Sequence, residues 1–265
     1  MAVRIETTGP SDRIALVTLD RPPVNALDTA TLKELTEAFG SFGRNRRTSV
    51  AVITGGGSRA FCAGIDLREP QTRRGGAGSD VANPADQLDA GRPVRDMFWS
   101  IFDCAVPVIG AVNGPAIGAG LGIAAVCDVL IAAEGATFAV TEIDVGRLGA
   151  YRHLVRMVGP FVARRMFFTG QAVPPEELHR LGAVEAVVPA EDLVPTALEL
   201  AGRIAAKSPV ALRLAKEAMN RVEFLALKEA YQLEQDYTTR LRGYEDAAEA
   251  SEAFMEKRPA DWKWR

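Results

Sequence analysis

The 265-residue chain is short of the side chains that carry most protein chemistry: it has two histidines and three cysteines. Cys62, Cys104 and Cys127 are odd in number, lack framework spacing and each sit in an apolar run. Buried free thiols in a reducing, cytoplasmic compartment are therefore expected, not disulfides. No Cys/His cluster has metal-ligand spacing, so no metal site is expected. Excess positive charge is absent as well. Lys+Arg number 31 against 34 Asp+Glu, a net charge of −3, and no basic footprint for nucleic acid results. The apolar stretch 105–126 is interrupted by Pro107, Asn113, Pro115 and several glycines, which argues against a membrane helix. Met1 to Pro10 carries charge and no apolar h-region, so no signal peptide is expected.

What is present is an ordinary globular composition, 48% hydrophobic and 25% charged, in a chain long enough to bury a large core. Ile14 to Leu19 reads as a strand. Asp28 stands as an N-cap before Leu32, Leu35, Phe39 and Phe42 at helical spacing. Val50 to Thr54 is a buried strand that turns out through Gly55-Gly56-Gly57. Between Glu69 and Gly91, glycines mix with Asn83, Pro84 and charges, the pattern of a surface loop or lid. Val94, Met97, Phe98, Ile101 and Phe102 mark an amphipathic helix, and Val106 to Val112 a strand. Gly118 or Ala119 opens a helix reaching about Cys127, and Asp128 to Ala133 is the next strand. Beyond Ala150 the periodicity is helical, with one short strand at 184–188 and long helical stretches at 193–206, 210–240 and 246–258. The expectation is an α/β fold: a core over 1–195 and a C-terminal helical region over 196–265.

Two short runs stand out, Ala60 to Leu67 and Asn113 to Gly122. Each comes after a strand-like segment and is poor in reactive side chains. In Gly118-Ala119-Gly120 a strand turns into a helix, leaving the first helical N–H groups unpaired and the macrodipole favouring negative charge. Small residues admit close approach to that backbone. The run admits two readings: a tight turn with close helix–strand packing, or a set of backbone donors for an anion. Ala63-Gly64-Ile65-Asp66 offers a similar N–H at Ile65, with Asp66 either capping a short helix after it or meeting a ligand.

Taken together, and with Asp20 to Leu27, Phe138 to Gly146, Thr169-Gly170 and Phe254 to Arg258, these runs resemble the crotonase superfamily, the enoyl-CoA hydratase/isomerase family. The resemblance spans nearly the whole chain. It implies a spiral of ββα units, a C-terminal helical trimerisation region, a homotrimer or hexamer, and an acyl-CoA thioester as substrate. Coenzyme A is then part of the substrate, and no separate cofactor is implied. It implies that the N–H groups of Ile65 and Ala119 hold the thioester oxygen. Charge arrives on that oxygen when a neighbouring proton is removed, and one positioned donor is worth about 2.7–4 kcal/mol. It also places Val24, Ala26, Ala63 and Asp66 against coenzyme A. Arg21, Lys257 and Arg258 fall near its phosphates, the alternative for these being ordinary solvated charge.

Family hydratases carry two glutamates. The second falls on Glu142, and the first falls on Gly122. One carboxylate suffices to move a proton from the α to the γ carbon, whereas hydration is shared easily between two. Double-bond isomerisation is thus the favoured reading. Hydration through a recruited group (Asp144, Tyr151 or His153), acyl-CoA hydrolysis or ring opening, and non-catalytic acyl-CoA binding are the alternatives. In a strand, Asp144 at i+2 would share the face of Glu142.

Overall fold

The structure, a computed structural model, describes residues 1–9, 12–68 and 89–265, so most of the expected loop lies outside the described residues. Strands β1 (Val3–Thr8), β2 (Ile14–Leu19), β3 (Val50–Gly55), β4 (Val108–Val112), β6 (Val129–Ala133) and β8 (Ala186–Val188) form one sheet in the order β1-β2-β3-β4-β6-β8. β1 and β2 run antiparallel and every other pairing is parallel. Two short strands, β5 (Ala116–Ile117) and β7 (Phe138–Ala139), pair separately.

The parallel strands are covered on both faces, which is why they read as unbroken apolar runs. Ala51 and Ile53 face a large core that includes Leu35, Phe39, Met97 and Ile101. These come from α1 (Thr29–Ser41) and α2 (Arg92–Phe102), and Leu121 joins them from α3 (Ala119–Val126). Val50, Val52, Ile109 and Ile131 face the opposite side. There Leu193, Ala197, Ala201 and Ala205 form an i,i+4 stripe on α6 (Leu193–Ala205), small enough to lie close on the sheet. Asp28 caps α1 as its sequence position predicts: its Oδ1 accepts the Thr31 N–H at 2.8 Å. All three cysteines are buried and free, with thiols pushed up by burial to about 12, 11 and 12 for Cys62, Cys104 and Cys127.

Between β7 and β8 lie α4 (Tyr151–Thr169) and α5 (Pro175–Arg180). The C-terminal helices α7 (Pro209–Val222), α8 (Leu227–Arg242) and α9 (Glu245–Glu256) come after α6. The expected helical stretch over 210–240 is broken at 223–226, where no glycine or proline marks the interruption. Helix α7 is pinned to the core: Lys216 Nζ meets Asp128 Oδ2 at 2.5 Å, and Arg213 Nη2 donates to the carbonyls of Phe42 and Asn45 at 3.1 and 2.8 Å. No helix among the described residues is long and apolar enough to cross a membrane.

Candidate active site

The two glycine-rich runs meet because their glycines let backbone touch backbone. A Cβ at Gly120 would stand 2.1 Å from the Cys62 carbonyl oxygen, and one at Gly64 would stand 2.9 Å from the Ile117 oxygen and 3.5 Å from the Ala119 nitrogen. Cys62 bridges Ala116, donating to the Pro115 carbonyl at 3.2 Å and accepting from Ile117 N–H at 2.9 Å. Asn25 and Asn113 hold the loops around them. Asn25 Nδ2 donates to the carbonyls of Gly56 and Ala60, and Asn113 exchanges hydrogen bonds with Gly55.

Ile65 lies in a parallel bridge with Leu27 in which Leu27 N–H donates to Gly64 and Leu27 C=O accepts from Asp66. In that pattern the N–H of Ile65 itself points away from Leu27. Ala119 is the first residue of α3, one of the positions with no intrahelical acceptor. Both residues line a cavity of about 280 Å³, and neither N–H has a protein acceptor among the described residues.

Glu142 lines the same cavity. It opens a short 3-10 turn, Glu142–Val145, after β7. Its carboxylate occupies the volume that a side chain at position 118 would need: a Cβ on Gly118 would lie 2.6 Å from Oε1. Gly118 has φ +55° and ψ −115°, a conformation open to glycine. Oε2 is buried without a hydrogen-bond partner. Burial therefore raises the Glu142 pKa above the ordinary value, against an opposing pull from the N–H groups of Glu142 and Thr141. A carboxylate so placed is a better proton acceptor than an exposed one, and it lines the same cavity as the two backbone donors.

A groove of about 320 Å³ continues from this cavity, sharing Ile65 and Leu67 with it and lined also by Arg21, Val24, Ala26 and Asp66. Ala63 lines the reaction cavity and donates its N–H to the Val24 carbonyl at 3.1 Å. Arg21 is engaged by protein groups, meeting Asp28 at 3.0 Å, Asp66 at 2.8 Å and the Ala26 carbonyl at 3.0 Å. Lys257 and Arg258 line neither space. Lys257 terminates α9 in a left-handed conformation, and Arg258 pairs with Glu249 and Glu256.

Beside position 122 stands an aromatic ring. A Cβ on Gly122 would lie 2.6 Å from Phe98 Cζ, so the phenyl ring fills that space and lines the cavity. The His153 ring packs on Phe98 with centroids 4.7 Å apart, outside the cavity lining, and burial lowers its pKa so that the imidazole is held neutral. Asp144 does not share the direction of Glu142. The segment is a 3-10 turn and not a strand, and residues two apart in such a turn diverge. Asp144 Oδ2 lies instead against Gly170, 2.6 Å from where its Cβ would be. Tyr151 lines a neighbouring cavity, and Arg152 lies over the Phe224 ring at 4.7 Å. The sequence pattern marks Phe98 only as a core residue of α2, because nothing local announces which side of a ring a distant glycine will meet.

The family model for enoyl-CoA hydratase/isomerase matches residues 9–265. The chain belongs to that family. Enoyl-CoA hydratase from Bacillus anthracis superimposes on it with a TM-score of 0.89 at 31% identity, over 100% of both chains. A (7aS)-7a-methyl-1,5-dioxo-2,3,5,6,7,7a-hexahydro-1H-indene-carboxyl-CoA hydrolase from Rhodococcus jostii (strain RHA1) is 39% identical over 253 residues, 95% of this chain and 94% of that one. The 2,3-dehydroadipyl-CoA hydratase of Escherichia coli (strain K12) is 35% identical over 258 residues, 96% of each chain. The chain is thus an enzyme of the enoyl-CoA hydratase/isomerase family with the family's α/β fold.

Proposed function

We propose that this family member forms an enolate from an acyl-CoA thioester, with the Ile65 and Ala119 N–H groups on the thioester oxygen and Glu142 as the proton-transferring base. The observation that carries this reading is that Glu142 is the one carboxylate among the described residues lining the cavity, which Ile65 and Ala119 line with backbone N–H groups that have no acceptor among the described residues. Removal of the α proton sends its electron pair to the oxygen between the two donors. Return of the proton from Glu142 to the γ carbon shifts the double bond. No second carboxylate is needed for that sequence, and the Phe98 ring fills the space beside Gly122.

A second reading, hydrolytic ring opening, is favoured by the hydrolase name of the Rhodococcus relative. The same parts serve it. Water deprotonated by Glu142 adds to a ring ketone β to the thioester, the ring C–C bond breaks, and its electron pair arrives on the same thioester oxygen. A panel of 2-enoyl, 3-enoyl and cyclic β-keto acyl-CoAs separates the two. Isomerisation predicts interconversion of the 2- and 3-enoyl esters; ring opening predicts a new carboxylate from the cyclic one. In either case Glu142→Gln lowers turnover by about a hundredfold or more. Equal turnover by both proteins would remove Glu142 from the mechanism.

A further inference from the structure

The loop after Glu142 lines both the reaction cavity and a second cavity of about 440 Å³. The two share Leu148, Gly149 and Ala150, so they adjoin along a single stretch of chain. It stands close to the reacting group: a Cβ at Gly149 would lie 3.8 Å from Glu142 Cγ. Ala150 holds that stretch in a left-handed conformation, φ +58°, which residues with a Cβ seldom adopt.

The far wall is aromatic. Tyr151 and Phe167 meet edge to face with centroids 6.1 Å apart. Among the described residues one charged group joins that lining, the guanidinium of Arg164. The other three arginines of α4 are engaged. Arg152 lies over Phe224, Arg156 pairs with Glu223 and donates to the Ala125 and Cys127 carbonyls, and Arg165 pairs with Glu177. Arg164 has no hydrogen bond or ion pair among the described residues.

A thioester with its oxygen between Ile65 and Ala119 has two ends to house. The groove beyond Ile65 and Leu67 leaves the reaction cavity on one side, and the aromatic cavity adjoins it at Leu148–Ala150. We propose that the aromatic cavity receives the body of the acyl group and that Arg164 binds a carboxylate at its distal end. The substrate class is then a bulky, ring-containing acyl-CoA with a second, free carboxylate. This assignment rests on the acyl-CoA reading above. Its physical basis is that an apolar body gains by burial, while a guanidinium outside an ion pair favours a planar anion through paired hydrogen bonds.

The test is a binding measurement that needs no turnover. A saturated cyclohexylacetyl-CoA carrying a ring carboxylate, and its methyl ester, are titrated calorimetrically into the wild-type protein, Arg164→Gln and Arg164→Lys. Wild type binds the free acid about tenfold or more tighter than the ester. Arg164→Gln abolishes the preference, and Arg164→Lys retains part of it. Equal binding of the two by wild type, binding of neither, or a preference that survives in Arg164→Gln overturns the assignment. The underlying reading fails separately, if Glu142→Gln turns over acyl-CoA as well as wild type does.

Discussion

Gly118 and Glu142 compete for one volume, and the competition makes a sharp prediction. A side chain at position 118 would place a methyl group 2.6 Å from Glu142 Oε1 and would be forced into φ +55°. Gly118→Ala should lower kcat by about tenfold or more by moving the carboxylate, since small misplacements of a catalytic group carry penalties of this order. It should also cost about 1–3 kcal/mol of stability from the strained backbone, seen by denaturant titration. Gly122 tests the other side of the cavity. A methyl group there would meet Phe98 Cζ at 2.6 Å inside a packed core. Gly122→Ala should destabilise by about 1–3 kcal/mol through overpacking, and the double variant with Phe98→Leu should recover part of that loss. Full additivity of the two changes in a double-mutant cycle would show that they do not touch.

At the scale of elements, the ion pair between Lys216 and Asp128 joins α7 to the start of β6. Lys216 is 4% exposed, and Asp128 also accepts the Val108 N–H at 2.6 Å. Asp128→Ala leaves a buried ammonium and a backbone donor without their partner. A loss of about 3–5 kcal/mol is expected, measured by chemical denaturation, where an exposed pair such as Lys33–Glu37 should contribute well under about 1 kcal/mol. Most elements are legible in the chain. β3, β4 and β6 announce themselves as apolar runs because both of their faces are covered, and α1 by a stripe and a cap. β1 is not legible. Its interior residues are exposed, and two of them, Arg4 and Glu6, are charged, as suits an edge strand. β5 and β7, two residues each, are too short to show a period.

The site divides the same way at the scale of the whole molecule. Ile65, Ala119 and Glu142 line one cavity, and each sits in or beside a run that the chain displays on its face. Phe98, His153 and Arg164 come from helices whose approach depends on packing across the fold, and no local pattern encodes it. Glu142 also sets a balance between stability and use. Burial raises its pKa in the folded state, so ionisation favours the unfolded chain as pH rises from the ordinary carboxylate value, about 4.3, through the folded value. Glu142→Gln should therefore melt higher than wild type at neutral pH, and the difference should shrink as pH falls below about 4.3. A variant that melts lower at neutral pH would contradict that electrostatic account.

The most direct test of enolate formation is exchange of the α protons of butyryl-CoA in D₂O, monitored by NMR. It asks only for proton removal next to the thioester, independent of any later step. Wild type should exchange those protons, with a rate that rises with pH through an apparent pKa above the ordinary glutamate value, about 4.3. Glu142→Gln, folded and still binding the ester, should exchange them slower by about a hundredfold or more. Equal exchange by the two proteins, or none by wild type, would contradict the account.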